Sequence, residues 1–162
     1  MALLGRLDRL IGFIISIGRW LALPVVLLLF LQWPLRDLFG GYSREANDLG
    51  QWIFALYVAM SFTAATRART HLAADALAQT YSKRTRARIW RLGVAVALVP
   101  WALFVLIAGK NVVVPSLAGL ERFPDTTNPG YFLIKLALWV LAGLVLTQAV
   151  VDIAKPERPD VG

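Results

Sequence analysis

Cysteine is absent from this 162-residue sequence, and histidine occurs once, at His71. The lack of cysteine excludes disulfides, a thiolate nucleophile and a cysteine metal site. The single histidine excludes a bis-histidine haem held by this chain alone and any histidine-rich metal cluster. Because no P-loop, GxSxG or HExxH motif occurs either, we predict a protein that is not an enzyme and that binds no cofactor.

Charge is scarce as well, since 17% of the residues are Asp, Glu, Lys or Arg, against roughly 25% in a soluble domain. Hydrophobic residues make up 58% of the chain, and its mean hydropathy is +0.62. Such a composition leaves too little polar surface to cover a core in water. We therefore expect residues 1–162 to form a single membrane domain.

Four apolar runs are close to or longer than the roughly 18 residues that indicate a spanning helix. They predict an all-α membrane protein with transmembrane helices at about residues 10–35, 49–66, 91–110 and 131–152. The first run follows Arg6 and Arg9, as in a signal peptide, but it continues to Leu35 without a small-residue cleavage site. We interpret it as a retained span. Pro100 lies inside the third run and predicts a local bend there.

The basic residues predict the orientation of the spans. The two termini and the loop between the second and third spans carry eleven Lys or Arg residues, whereas the opposite side carries five. Short cytoplasmic loops are enriched in Lys and Arg, so we expect both termini in the cytoplasm of a bacterial cell, with the chain in its inner membrane. The net charge of +7 sits at span ends rather than on a soluble face, so we expect no nucleic-acid partner.

The loop between the second and third spans has two distinct parts. Apolar residues recur at helical spacing over residues 71–82, which predicts a short amphipathic helix lying in the membrane interface. The basic run that follows includes Arg84, Arg86 and Arg88, which would contact anionic lipid headgroups. Membrane lipids are therefore an expected partner.

Three residues in the spans are candidates for contacts with lipid or with a partner helix, namely Arg19, Trp101 and Lys135. If Leu35 lies at the far boundary, Arg19 is about one turn inside the near one, where it could reach the headgroups or face another helix. Lys135 is one turn from the outer end of the fourth span and could reach outward in the same way.

The loop before the fourth span contains a small mixed-charge patch made of Glu121, Arg122 and Asp125. Such charges are either simply solvated or form a docking surface for a periplasmic partner. The preceding residues, 112–120, are mostly apolar and contain Pro115. They either extend the third span or form a re-entrant or interfacial segment.

The order of these features resembles the small permease subunit of TRAP transporters, the DctQ type. The resemblance covers nearly the whole chain and is carried by Arg36, the stretch from Glu45 to Asp48, Arg69-x-His71-x3-Asp75, Trp101, and Glu121-x-Phe123-Pro124 leading into Tyr131 and Lys135. The stretch Thr126-Thr127-Asn128 departs from the family's usual forms.

This resemblance implies a subunit that scaffolds a large elevator-type permease for sodium-coupled uptake of an organic acid or similar solute. A periplasmic substrate-binding protein would deliver the solute. Two alternatives remain open at this point. A standalone four-helix exporter would need an acidic residue embedded in its first span, and a redox-complex anchor would need ligands in mid-span, whereas His71 lies at the inner membrane edge.

Overall fold

The computed structural model describes residues 2–41, 43–68 and 81–154. Four helices in these ranges are long and apolar enough to cross a membrane, which confirms the predicted all-α fold. Within the same ranges, the extended backbone is limited to an isolated bridge between Arg122 and Pro129. The predicted interfacial helix at 71–82 lies outside the described residues, except for Tyr81 and Ser82 at its end.

The first long helix consists of two segments, α1 (Ala2–Trp20) and α2 (Ala22–Phe39), and it extends beyond the predicted run at both ends. The interruption at Leu21 has a local cause. Pro24 has no N–H to donate to the carbonyl of Trp20 four residues earlier, and the N–H of Leu21 instead donates to the carbonyl of Gly18 at 3.1 Å.

The second long helix is α3 (Arg44–Ala68). Ser43 caps its first turn, since the N–H of Ala46 donates to Ser43 Oγ at 3.1 Å and so satisfies one of the free amides of the first turn. Glu45 in the same turn places negative charge at the positive end of the helix dipole. The helix therefore begins in its polar residues, several positions before the apolar run.

The third long helix begins with α4 (Lys83–Gly93), which Ser82 caps by accepting from the N–H of Thr85 at 3.3 Å. A π-helical turn at Val94–Leu98 precedes α5 (Val99–Ala108). Pro100 cannot donate to the carbonyl of residue 96, and the π turn is the adjustment that the backbone makes just before it. The basic residues of α4 are thus the first turns of the spanning helix itself.

Residues 112–120, for which the sequence left several options open, are mainly helical. After Gly109 the chain continues as α6 (Lys110–Ala118), with the N–H of Val113 donating to the carbonyl of Gly109 at 2.8 Å. The segment is therefore a helical continuation of the third long helix.

The fourth long helix, α7 (Tyr131–Ala154), lies at the centre of the packing. In its most apolar window 44% of residues are buried, against 17% in the first long helix and 11% in the third. It runs parallel to α3 and packs against it, and both helices bury small side chains, including Ala59 and Thr63 of α3 and Ala142 and Ala149 of α7. Small residues let membrane helices approach closely. The first and third helices therefore flank a tight central pair and keep broad apolar faces exposed.

Candidate functional site

Polar side chains gather at the two ends of the helix pair formed by α3 and α7. We call the end formed by residues 43–48 and 119–131 the loop end. The opposite end, where α3 and α7 finish beside the start of α1, is called the terminal end. Each end contains a different set of contacts between elements distant in sequence.

Asp48 is the anchor of the loop end. It is a buried residue in α3, only 7% exposed, and its Oδ2 accepts hydrogen bonds from two residues of the loop before α7. Thr126 Oγ1 donates at 2.5 Å and Asn128 Nδ2 donates at 3.1 Å. A buried carboxylate is tolerated when it is hydrogen-bonded in this way, so Asp48 ties this loop to the start of α3.

The loop itself is a compact turn. The N–H of Phe123 donates to the carbonyl of Asn128, and the N–H of Thr127 donates to the carbonyl of Phe123, both at 2.9 Å. Thr127 has φ 57°, an uncommon value for a residue other than glycine. The Asp48 contacts on either side of Thr127 help to hold this conformation, since such backbone strain persists only where the surroundings over-determine it.

A second contact at the loop end joins two residues that the sequence analysis had treated separately. Lys135 Nζ donates to Glu121 Oε2 in an ion pair, and it also lies 5.2 Å from the centroid of the Tyr131 ring. The hydrogen bond from Lys135 lowers the pKa of the Glu121 carboxyl below its usual value of 4.5. Lys135 is therefore directed toward the loop end and is engaged within the chain.

The other two residues of the predicted docking patch remain exposed. Arg122 Nη1 donates to the carbonyl of Thr127 at 3.3 Å, which leaves most of its guanidinium free to face outward. Asp125 lies on the rim of an open groove of about 490 Å³. The groove is lined by Arg44, Asn47, Asp48, Gln51, Phe123, Pro124, Asp125, Thr126 and Tyr131.

At the terminal end, Arg67 connects α3 to α1. Its Nη1 lies 2.9 Å from Asp8 Oδ1 and donates to the Asp8 carbonyl at 3.1 Å. Deeper in the same region, Gln148 Nε2 donates to Asp152 Oδ1 at 2.8 Å, and both side chains are buried in α7. Sequence reasoning missed these contacts. The spacing of four between Gln148 and Asp152 places both on one helix face, and it could have predicted the contact between these two residues.

The chemistry of these two ends is that of structural contacts. In the part of the chain that the structure describes, no group of three His, Cys, Asp or Glu side chains could hold a metal ion. The carboxylates of Asp8, Asp48 and Glu121 are each engaged by a basic or amide group of another element. Both ends are thus suited to fixing helices and a loop in place.

Residues 25–158 match the family described as tripartite ATP-independent periplasmic transporters, DctQ component. The chain belongs to this family. The match covers most of the chain and confirms the resemblance seen in the sequence. Comparisons with curated proteins and with solved structures found no match.

The remaining predicted site residues of this DctQ component lie on its periphery. Arg84, Arg86 and Arg88 are exposed on α4, with Arg84 and Arg88 one turn apart on the same face. Trp101 is 39% exposed, and its ring centroid lies 6.4 Å from that of Phe62 in α3. Arg19 is exposed on α1. The structure therefore brings Glu121 and Lys135 together and distributes the others over the outer surface.

Proposed function

We propose that this chain braces the large permease of a TRAP transporter during sodium-coupled uptake of an organic acid or a similar solute. The observation that carries the proposal is the family match over residues 25–158. The fold supports it, because a tight central helix pair with exposed apolar faces on both sides can widen the fixed part of a larger membrane protein. Family membership alone suggests the sodium coupling and the solute class.

The proposed setting is the bacterial inner membrane, with both termini in the cytoplasm. The excess of Lys and Arg at the terminal end supports this orientation. Arg84, Arg86 and Arg88 would then contact anionic headgroups of the inner leaflet, where each basic residue contributes about 1 kcal/mol. Trp101 and the apolar face around it would contact lipid or a neighbouring helix.

The loop end would face the periplasm and receive the substrate-binding protein. Arg122 and Asp125 are exposed there, on a loop that Asp48 and the Glu121–Lys135 pair hold in one conformation. A pre-organised loop loses less conformational entropy on docking than a loose one. This supports Glu121 and Lys135 as residues that position the docking loop, and Arg122 and Asp125 as residues that contact the partner.

Co-purification tests the assembly. A tagged chain expressed with its transporter and extracted in mild detergent should bring down a large membrane protein with about a dozen spans. Deletion of the chain should abolish uptake of the solute, measured with sodium and with potassium as the matched control cation. The proposal is wrong if no large permease is recovered and uptake is unchanged by the deletion.

Charge reversal tests the docking surface. Asp125→Lys should weaken binding of the substrate-binding protein to the purified complex by about tenfold, because opposite charges across an interface would become like charges. Arg88→Glu at the terminal end is the control and should leave that binding unchanged. Equal effects of the two substitutions would contradict a docking surface at the loop end.

A further inference from the structure

Arg19 is an exposed charge surrounded by apolar side chains. Its neighbour Gly18 is buried and packs against Met60 of α3, so the two residues turn to different sides of α1. Ser16 and Leu23 lie within one turn of Arg19 on the same face, and both are exposed. Among the described residues, Arg19 has no hydrogen-bond or ion-pair partner.

The contacts of the first long helix show how deep Arg19 lies. Asp8 pairs with Arg67, which immediately follows the uncharged run of α3, and Gln32 Nε2 donates to the carbonyl of Ser43 just before α3. These two contacts place Asp8 beside one end of the uncharged run of α3 and Gln32 beside the polar residues that precede the other end. The uncharged run, residues 49–66, is about 27 Å long at the helical rise. Arg19 is eleven residues from Asp8 and thirteen from Gln32, or about 16 and about 20 Å at the helical rise.

Arg19 is therefore near mid-depth, further inside than the single turn expected when Leu35 was placed at the far boundary. The packing of Gly18 against Met60 agrees with a deep position, because Met60 is seven residues, or about 10 Å, from Arg67. Long basic side chains reach the headgroups from positions near helix ends. From the middle of a roughly 30 Å hydrocarbon layer, an arginine instead faces a partner or a polar cavity.

The exposed faces of the first and third long helices differ in whether they carry a charge. The third long helix is uncharged from Leu92 to Gly109, and its exposed face carries apolar residues such as Phe104 and Ile107. The stripe on the first long helix combines Arg19 with the small Ser16 and with Leu23, Val26 and Phe30, each of which is more than half exposed. The exposed face of the third long helix thus suits lipid, whereas the stripe on the first long helix requires an acceptor for the Arg19 cation.

We infer that the stripe formed by Ser16, Arg19, Leu23, Val26 and Phe30 receives a transmembrane helix of the large permease, and that this helix presents a carboxylate to Arg19. This inference rests on the proposed function. A guanidinium and a carboxylate can form two parallel hydrogen bonds, which satisfies both charges in a medium without water. The stripe's apolar residues pack on either side of the pair, and Ser16 permits close approach of the helices.

Photo-crosslinking in intact cells tests the location of the interface. A photoreactive amino acid is placed at Ser16 or Leu23 on the stripe, and at Phe104 or Ile107 on the third long helix as matched controls. Crosslinks to the large permease are expected from the stripe positions and not from the controls. Crosslinks from the controls alone would overturn the inference and leave the proposed function standing, whereas no crosslink or co-purification from any position would overturn both.

Substitution of Arg19 tests the charge. Arg19→Leu should reduce the large permease recovered with the tagged chain by about tenfold or more, because it leaves the partner's carboxylate unpaired. Arg19→Lys keeps the charge without the paired geometry and should restore part of the recovery. If Arg19→Leu recovers as much permease as the unaltered chain, while the stripe still crosslinks, Arg19 has no carboxylate partner and the inference is overturned.

Discussion

At the scale of single residues, the loop end depends on two carboxylates that act in different ways. Asp48 is buried and accepts two hydrogen bonds from the loop before α7. Glu121 is partly exposed and pairs with Lys135. Hydrogen bonds to a buried charged group are stronger than those to an exposed pair, which solvent screens. Asp48 is therefore the main support of the loop.

Replacement of Asp48 should loosen that loop. We expect Asp48→Ala to lower the free energy of unfolding by about 2 kcal/mol, because Thr126 and Asn128 lose a charged acceptor. Thermal unfolding in detergent measures the change, and amide hydrogen exchange over residues 121–130 measures the loosening. Asp125→Ala, at an exposed position on the same loop, is the control and should change neither quantity. Equal exchange in both variants would contradict the role of Asp48.

The pairing of Glu121 with Lys135 should make stability depend on acid pH. The hydrogen bond from Lys135 lowers the pKa of Glu121 in the folded protein below 4.5, so the unfolded chain binds the proton more readily. The pair's stabilisation is then complete above pH 4.5 and is lost as the pH falls through the lowered pKa. Tm measured at neutral pH and below pH 4.5 should fall less for Glu121→Gln than for the unaltered chain. An equal fall would show that Glu121 contributes nothing.

At the scale of helices, close approach at glycine determines how the first long helix lies on α3. A Cβ built at Gly18 would be 2.6 Å from Met60 Cβ, whereas one built at Gly143 in α7 would meet no atom within 4 Å. Contacts below 3 Å force a shift of one helix, since packed interiors have little spare volume. Gly18 is therefore part of the reason why α1 packs where it does.

The same substitution at these two glycines should have opposite effects. Gly18→Ala is expected to lower the free energy of unfolding by about 1–3 kcal/mol through overpacking. Gly143→Ala should be neutral or stabilise by about 0.5–1 kcal/mol, because alanine favours the helix. Unfolding in detergent measures both. Met60→Gly removes the Met60 Cβ, so Gly18→Ala should cost less stability in that background than in the unaltered chain. An equal cost of Gly18→Ala in the two backgrounds would count against this contact.

At the scale of the whole molecule, most of the charge lies at the two ends. The terminal end carries Arg67 and the basic residues of α4, and the loop end carries the mixed charges around Glu121. This asymmetry is what orients the chain in the proposed function. It also makes the orientation accessible to labelling, because the chain has no cysteine of its own.

Single cysteines should report the two sides of the membrane. Asp125→Cys is expected to react with a membrane-impermeant maleimide added to cells with a permeable outer membrane. Arg88→Cys should react only after the inner membrane is opened. Both positions are exposed, so a difference in labelling reflects sidedness rather than burial. Labelling of Arg88→Cys in sealed cells would invert the proposed orientation.

Much of this architecture was predictable from local pattern. Long apolar runs indicated four spanning helices, and the spaced motifs from Arg36 to Lys135 indicated the family, which the match confirms. Helix ends were less predictable, because backbone hydrogen bonds continue through charged residues such as those of α4. The helical state of residues 112–120 was undecided for a related reason, since hydropathy does not distinguish a helix extension from a re-entrant segment.

The sequence by itself determined the membrane-spanning class of this chain, because apolar runs with charges at their ends have few stable arrangements in water or lipid. Only the tertiary structure decided which polar groups meet. Asp48 and Thr126 are 78 residues apart, and Arg67 and Asp8 are 59 apart, so neither pairing leaves a trace in local periodicity. The contact between Gly18 and Met60 was decided in the same way, since it depends on which residues of α3 lie beside α1.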